Sequence, residues 1–210
     1  QPLREFPISD DLISQWEESA ESAGIISSPC PYVIDNDTEI GPVKINCDLD
    51  IKGDPTVTIN GPVWVKGNIT VQNTAIIRLN PSLENKSVAI IADNPTNRVS
   101  SSKIDLKNSA TFFGANGNSY ILFISQNNSS ESGGSEKAIT IQNSASGDVL
   151  LFSGHGEILI QNSVKLKEAT AYKIRLQNSA KVIYESGLAN LLFESGPSGG
   201  YSIDSWREVK

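Results

Sequence analysis

The chain lacks several residue types on which common functions depend. Its 210 residues include no methionine, one histidine, two cysteines and few aromatic side chains. A zinc site needs about four ligands, mostly cysteine and histidine, so a zinc centre is excluded. No apolar run approaches the roughly 18 residues of a membrane helix. Because the chain starts at Gln1 without methionine, we expect a mature or trimmed form whose membrane anchor lies in a preceding segment.

Clusters of positive charge are also missing. Lysine and arginine never form a run, the net charge is −7 and the pI is about 4.8. A phosphate backbone is bound by clustered cations, so neither a nucleic acid nor an anionic membrane surface is an expected partner. The acidity itself is typical of a soluble protein.

The two cysteines, Cys30 and Cys47, are close in sequence. An even number of cysteines in a composition typical of secreted proteins predicts one disulfide. Such a bridge closes a loop of about 17 residues and would stabilise the fold by roughly 3 kcal/mol. The alternative is a pair of unbonded, buried thiols.

The first segment has a helical pattern. Leu12, Ile13, Trp16 and Ala20 recur at the spacing of one helix face, with polar residues between them. Ser9 or Asp10 can cap the start and Gly24 can end the helix, which predicts an amphipathic helix over about residues 9–23. Its apolar side must pack on another part of the molecule.

After this helix one short pattern recurs. It reads Ile, any residue, Ile/Leu/Val, Gln/Lys, Asn, Ser/Thr, Ala/Val. A recurring unit of this kind indicates a repeat architecture. The full copies are ITVQNTA at 69–75, IDLKNSA at 104–110, ITIQNSA at 139–145, ILIQNSV at 158–164 and IRLQNSA at 174–180, and shorter relatives are VKIN at 43–46 and VTIN at 57–60.

The pattern has a direct structural interpretation. In a strand, alternate side chains point to opposite sides, so the first and third positions, such as Ile174 and Leu176, are predicted to face a core. Asparagine tolerates left-handed backbone angles and suits a sharp corner after the strand. Identical units stack well, and their asparagines can form an amide hydrogen-bond ladder. The predicted ladder consists of Asn73, Asn108, Asn143, Asn162 and Asn178.

The spacing of the asparagines tests this interpretation. Most spacings suit three short strands and three corners, but two are 35 residues long, Asn73 to Asn108 and Asn108 to Asn143. Each long spacing is either two coils or, as we prefer, one coil with an inserted loop. The polar stretches 93–102 and 126–137 both end just before an asparagine-bearing strand, so they should leave neighbouring coils at the same corner and lie side by side.

These patterns predict an all-β protein with one N-terminal amphipathic α-helix. The fold is a single-stranded parallel β-helix of about seven short coils, and we choose right-handed because coil lengths vary and no strict hexapeptide repeat exists. The predicted organisation is an N-terminal helix and cap (1–42), the β-helix (43–196) and a C-terminal cap (197–210). The caps protect strand edges that would otherwise be exposed, and the alternative for residues 1–42 is a helix laid on a face of the β-helix.

Three stretches carry a resemblance to known proteins, and they are FPISDDLISQW (6–16), GPVWVKGNITVQNTAIIRL (61–79) and GPSGGYSIDSWREVK (196–210). Through them the chain resembles a group of bacterial surface proteins that are frequent in candidate-phylum bacteria. These proteins carry an N-terminal pilin-like hydrophobic helix followed by a β-helical ectodomain. The resemblance implies a cell-surface location, no enzyme activity and self-assembly through the absent N-terminal helix.

No catalytic pattern stands out. Asp105 and Lys107 fit solvated residues of an outer face, because glycoside hydrolysis needs two carboxylates that face one cleft. His155 in SGHGE has an acid–base character but no nucleophile close in sequence, so a turn is favoured. We therefore predict no catalytic residue and no cofactor.

Three binding hypotheses have weaker support from the sequence. A loose calcium site would use Asp35, Asp37, Asp48 and Asp50, although the spacing excludes an EF-hand and a solvated acidic loop is favoured, so no metal site is predicted. Ice binding would need a flat, threonine-rich array that the outward residues do not form. Sugar stacking would use exposed aromatic residues, for which the candidates are Phe113, Tyr120 and Tyr172.

The function expected from the sequence is a non-enzymatic module outside the cell or at its surface. It would be structural or adhesive, present loops 93–102 and 126–137, and contact an unidentified protein or surface glycan. The alternative is a β-helix that binds or cleaves carbohydrate.

Overall fold

The computed structural model describes residues 6, 8–183, 192–193 and 201–202. Within them lie one α-helix, one short 3-10 helix (Pro81–Leu83) and many short strands. In chain order these are α1 (Asp10–Ala23), β1 (Ile25–Ile26), β2 (Tyr32–Ile34), β3 (Thr38–Ile40), β4 (Val43–Ile45), β5 (Leu49–Ile51), β6 (Thr56–Ile59), β7 (Val63–Val65), β8 (Ile69–Val71), β9 (Ile76–Leu79), β10 (Lys86–Ala92), β11 (Ile104–Leu106), β12 (Thr111–Phe113), β13 (Ile121–Ser125), β14 (Ile139–Ile141), β15 (Ser146–Gly147), β16 (Val149–Ile160), β17 (Lys165–Leu166), β18 (Glu168–Leu176), β19 (Lys181–Val182), β20 (Leu192–Phe193) and β21 (Tyr201–Ser202).

The strands form three faces that the chain visits in turn. The first face contains β1, β4, β7, β10, β13 and the first parts of β16 and β18. The second face contains β2, β5, β8, β11, β14 and the second parts of β16 and β18. The third face contains β3, β6, β9, β12 and β15, followed by the pair β17–β19. All these pairings are parallel, so the fold is a solenoid-like, all-β arrangement with one helix, as predicted.

The apolar core lies between the three faces. On the second face the first and third positions of the repeat are buried, as in Ile69 and Val71 of β8 and Ile104 and Leu106 of β11. The prediction is wrong at the last copy, where Ile174 is 43% and Leu176 is 50% exposed. Among the described residues β18 has a neighbour on one side only, so no strand covers these two side chains from the other side.

The predicted helix is present and lies on the outside of the first face. Ser9 is the N-cap and its Oγ accepts a hydrogen bond from the N–H of Leu12, at 3.2 Å. The sequence allowed either an end cap or a helix on a face, and the structure has the latter. Ile13, Trp16 and Ala20 are buried against outward side chains of the first face, which are Trp64, Ala89, Ile91, Leu122, Ile124, Leu150 and Phe152, with Tyr120 beside them.

The predicted asparagine corners adopt left-handed backbone angles, with φ between 52° at Asn178 and 64° at Asn73 and Asn108. Amide hydrogen bonds join Asn108 to Asn73 at 3.2 Å, Asn162 to Asn143, and Asn178 to Asn162 at 2.8 Å. The ladder therefore runs in two sections, because no direct side-chain bond joins Asn108 to Asn143 in the part of the chain that the structure describes.

The two shorter relatives of the repeat do not stack with the five full copies. VKIN lies on the first face as β4, and VTIN lies on the third face as β6, whereas the full copies lie on the second face. Asn60 belongs to a separate stack at its own corner, where it donates to Glu39 and accepts from Asn80. All three faces use alternating strands, so a four-residue pattern does not identify its face.

The parallel pairing also begins earlier than residue 43, since β1, β2 and β3 pair with β4, β5 and β6. The stacked strands thus start directly after α1. Cys30 and Cys47 form the expected disulfide, with a Cα–Cα distance of 5.8 Å. It joins the first two turns of the chain at the corner between the first and second faces.

The long spacings each contain one visit to the second face, because β8 pairs directly with β11 and β11 with β14. The inserted stretches 93–102 and 126–137 leave at the same corner and contact each other. Asn127 Nδ2 donates to the carbonyl oxygens of Val99 at 3.1 Å and Ser101 at 2.7 Å. Their inner residues are buried, while their tips, at 95–97 and 131–136, are exposed.

The proposed C-terminal cap (197–210) lies outside the described residues except for β21. This strand pairs antiparallel with β20, which pairs with the start of β10. None of the helices in the described chain is both long and apolar enough to cross a membrane.

Candidate binding groove on the second face

A groove of about 500 Å³ runs along the outer side of the second face. Its floor is formed by β5, β8 and β11, which stack in register with Leu49, Ile69 and Ile104 aligned. Because these side chains point to the core, the residues between and beside them point outward. The centre of the groove is thus built on strands and its two sides on the residues directly before and after them, which fixes the side chains of the centre in space.

The lining is polar and carries both signs of charge. It includes three carboxylates, two ammonium groups and three neutral hydrogen-bonding side chains, with Pro31 near the disulfide at one border. Asp50, Thr70 and Asp105 form one column, since Asp50 pairs with Thr70 and Thr70 with Asp105. The other polar residues of the lining are Asp48, Asn68 and Lys103 on one side of this column and Gln72 and Lys107 on the other.

Hydrogen bonds hold one side of the groove in place. Asp48 Oδ1 accepts from the backbone N–H of Asn68 at 2.7 Å, and Asn68 Oδ1 accepts from the N–H of Lys103 at 3.0 Å. The Lys103 ammonium lies 2.8 Å from Glu136, an exposed residue of the loop 126–137. The hydrogen bond from Lys103 and the positive charge of Lys103 hold the pKa of Glu136 below the usual value. Lys103 therefore connects the groove to the paired loops.

Fewer hydrogen bonds hold the side chains of the central column and of the side that contains Gln72 and Lys107. Asp50 is weakly bonded to Gln72, with 3.5 Å between Oδ1 and Nε2. Asp105 and Lys107 have no side-chain partner within the described chain and are partly exposed. Neighbouring strands lie about 4.8 Å apart, so the Cα atoms of Asp50 and Asp105 are roughly 10 Å apart with Thr70 between them. The groove thus offers free acceptors and donors at regular intervals.

The carboxylates of the calcium hypothesis are divided between the groove and other positions. Where the chain is described, no group of three or more His, Cys, Asp or Glu side chains could hold a metal ion. Asp37 Oδ1 accepts from the N–H of Thr56 at 2.8 Å, and Asp48 caps Asn68. Two members of the calcium hypothesis therefore act as backbone caps. Of the four residues of the calcium hypothesis, Asp48 and Asp50 line the groove, whereas Asp35 and Asp37 do not.

His155 lies away from the groove, at the corner between the first and second faces. Its Nδ1 is 2.8 Å from Glu131, and its Nε2 is 3.1 Å from Asp10 at the start of α1. Gln126 Nε2 also donates to Asp10, at 3.1 Å. These contacts join the helix, the loop 126–137 and the bend of β16. The arrangement supports a structural role for His155.

The three aromatic candidates for sugar stacking differ in exposure, and none of them lines the groove. Tyr120 is buried under Lys167, whose Nζ is 5.1 Å from the ring centroid, so it offers no free ring face. Phe113 and Tyr172 are each about half exposed, but neither lines the groove. The groove itself has no aromatic platform, and recognition there must rely on hydrogen bonds.

The sequence predicts that Asp105 and Lys107 are solvated residues of an outer face and that Asp48 and Asp50 belong to an acidic loop. The structure brings all four into one groove. A signal was present, since LDIKG at 49–53 matches IDLKN at 104–108 with glycine in place of asparagine. Gly53 has φ of 87°, so it occupies the same left-handed corner as Asn73 and Asn108.

No protein-family model, curated protein or solved structure matches this chain. The groove is therefore interpreted from its own geometry and chemistry.

Proposed function

We propose that this chain is a non-enzymatic, rigid β-helical module that acts outside the cell or at its surface and binds a glycan chain in the groove of the second face. The observation that carries the proposal is the lining of the groove, in which β5 and its flanks contribute carboxylates, β8 and its flanks amides and a hydroxyl, and β11 and its flanks a carboxylate between two ammonium groups. Each sugar hydroxyl donates and accepts a hydrogen bond, so an array of hydroxyls matches interleaved acceptors and donors.

The rigidity of the scaffold supports an adhesive or structural role. The core is continuous between the three faces, α1 braces the first face, and the disulfide joins the first two turns. Disulfides persist mainly in oxidising compartments, which favours a location outside the cytoplasm. A preformed groove loses little conformational entropy when a ligand binds.

The paired loops extend the contact surface. Asn127 ties the bases of the two loops together, and Lys103 of the groove binds Glu136 in the exposed part of the loop 126–137. In this proposal the loops 93–102 and 126–137 contact the protein or surface that carries the glycan. Following the resemblance to pilin-like surface proteins, an N-terminal hydrophobic helix preceding this segment would anchor the module and support its self-assembly.

We further propose that the chain forms about seven coils and that these coils wind in a right-handed sense. The order in which the chain visits the three faces supports the number of coils. An experimental structure of residues 1–210 tests both statements. A left-handed winding, or a C-terminal segment that adds several coils, would overturn them.

A glycan array followed by calorimetric titration of the best ligand tests the binding proposal. We expect saturable binding that weakens about tenfold in Asp105→Asn and in Lys107→Gln, the equivalent of one charge-assisted hydrogen bond. Asp54→Asn is the matched control, because Asp54 is exposed and lies outside the groove. Failure to bind any glycan, or equal weakening in the control, would reject the groove as a glycan site.

A carbohydrate-cleaving function is the second candidate, and the Asp50–Asp105 pair favours it. Inverting glycosidases place their two carboxyl groups roughly 6.5–9.5 Å apart, and two carboxylates on strands roughly 10 Å apart can reach that separation. Release of reducing ends from the bound glycan, abolished in both Asp50→Asn and Asp105→Asn, would establish hydrolysis. Binding without release would support the non-enzymatic module.

A further inference from the structure

A second charged cluster lies on the same face but beyond the groove, at β16 and β18. Glu157 is only 2% exposed, and three cations surround its carboxylate. Its Oε1 is 2.8 Å from Arg175 Nε and 3.1 Å from Lys137 Nζ, and its Oε2 is 2.9 Å from Lys173 Nζ. Burial opposes ionisation of Glu157, but these cations hold its pKa below the usual value.

The cluster contains more positive charge than the buried carboxylate requires. One cation neutralises one carboxylate, so three cations leave a local excess of two positive charges in a chain of net charge −7. The exposed acid next to Lys137 is Glu136, and Lys103 already binds it at 2.8 Å. The excess charge is therefore not balanced by a neighbouring acid in the part of the chain that the structure describes.

The geometry leaves two of the cations available to a ligand. Lys173 and Arg175 are about half exposed, and both project outward from the second part of β18. Arg175 approaches Glu157 through Nε, and no hydrogen bond from either Nη atom is found within the described residues. An arginine held in this way presents a planar pair of donors, which suits the two oxygens of a carboxylate, sulfate or phosphate group.

We infer that Lys137, Lys173 and Arg175, held by the buried carboxylate of Glu157, form a binding site for an oxyanion group. Glu157 is the positioning residue, and Lys173 and Arg175 contact the ligand. The group is a carboxylate, sulfate or phosphate, carried either by a small molecule or by an acidic polymer. The inference does not depend on the groove, whose lining contains none of these four residues.

Titration of the protein with inorganic sulfate, followed by NMR of the arginine Nε–H signals, tests the site. We expect saturable shifts of the Arg175 signal, and about tenfold weaker binding in Lys173→Gln. Lys181→Gln is the matched control, since it removes the same charge from an exposed lysine on the third face. Equal weakening in both variants, or no saturable shift in the wild type, would overturn the site.

Two further variants separate an organised site from a diffuse positive patch. Arg175→Lys keeps the charge but loses the planar donor pair, so we expect at least threefold weaker binding. Glu157→Gln adds net positive charge but releases the three cations, so an organised site binds more weakly and a diffuse patch binds more tightly. Tighter binding in Glu157→Gln together with unchanged binding in Arg175→Lys would overturn the inference.

Acidic polymers distinguish the source of the oxyanion. Heparin and polygalacturonate are titrated against the wild type, Lys173→Gln and Lys181→Gln. Polymer binding that is lost only in Lys173→Gln indicates a polymer-borne group, and sulfate binding without polymer binding indicates a small anion. Polymer binding that survives in both variants would show that polymers bind elsewhere and would contradict the site as their receptor. Neither polymer result depends on glycan binding in the groove.

Discussion

On the first face, the outward side chains of β10 and β13 are apolar and lie under α1. On the second face, the outward side chains of β8 and β11 are polar and line the groove. The inward side chains of both faces are similar and share one core. The comparison teaches that the inward pattern builds the fold, whereas the outward residues decide whether a face is covered or available to a ligand.

The largest loss of stability should come from weakening the contact between α1 and the first face. Trp16→Ala removes a side chain that is 1% exposed between α1 and that face, so we expect a loss of about 3–5 kcal/mol in the free energy of unfolding. Urea denaturation measures it. The matched change on the open face, Thr140→Ala, should alter stability by less than about 0.5 kcal/mol. Similar losses in the two variants would break the distinction between covered and open faces.

The corner between the two faces is tested by removing the disulfide. Cys30→Ser with Cys47→Ser should lower the free energy of unfolding by about 3 kcal/mol, because the bridge closes a loop with a sequence separation of 17. Thermal unfolding with and without reductant measures the effect. Reductant should destabilise the wild type and leave the double variant unchanged, and an insensitive wild type would contradict the prediction.

The covered face should also give stability a pH dependence. Burial of the Glu17 side chain on α1, with the nearby charge of Asp93, raises the pKa of Glu17 to about 8. Between pH 4.5 and about 8 the folded state therefore holds a proton that the unfolded state has released. Stability should fall as the pH rises through this window and level off above it.

Glu17→Gln tests this assignment, since a neutral side chain removes the linkage. The variant should exceed the wild type in stability above pH 8 and approach it near pH 4. Glu168, also on the first face, has a pKa raised by burial to about 7, so Glu168→Gln should remove a similar fall that ends near pH 7. Glu18→Gln, on the exposed side of α1, controls for the substitution. Unfolding curves at several pH values that coincide for Glu17→Gln and the wild type would refute the assignment.

The smallest effect should occur at the corners that end the second face. Asn162 has φ of 59° and bonds to both Asn143 and Asn178. Asn162→Ala should cost about 1–2 kcal/mol, because alanine loses both amide bonds and resists left-handed angles. Asn162→Gly keeps the backbone angle accessible and should cost less. Equal losses would show that the amide ladder, rather than the corner angle, accounts for the effect.

The sequence predicted those features that depend on local pattern. Alternation identified the inward positions of β8 and β11, the helical spacing identified α1, and the asparagines marked left-handed corners. Stacking was assigned correctly only where the pattern was long. The short copies at Asn46 and Asn60 lie on other faces than the full copies, and the sequence does not reveal this, because a strand of three or four residues alternates in the same way on every face.

The groove could be predicted only in part for the same reason. Asp105 and Lys107 were identified as outward residues, but their neighbours on β5 were not, because Gly53 replaces the asparagine that marked the other copies. The Glu157 cluster was not predicted at all. Its members are separated in sequence and meet because β16 pairs with β18 and the loop 126–137 returns beside them.

The sequence by itself determined the strands, their corners, the helix and the residues that face the core, because each of these follows from angles and periodicities within a few residues. Only the tertiary structure decided which strands stack, which face α1 covers and which carboxylates and ammonium groups share a groove. Those outcomes depend on the length of chain between successive visits to a face, and one inserted loop changes which side chains become neighbours without altering any local pattern.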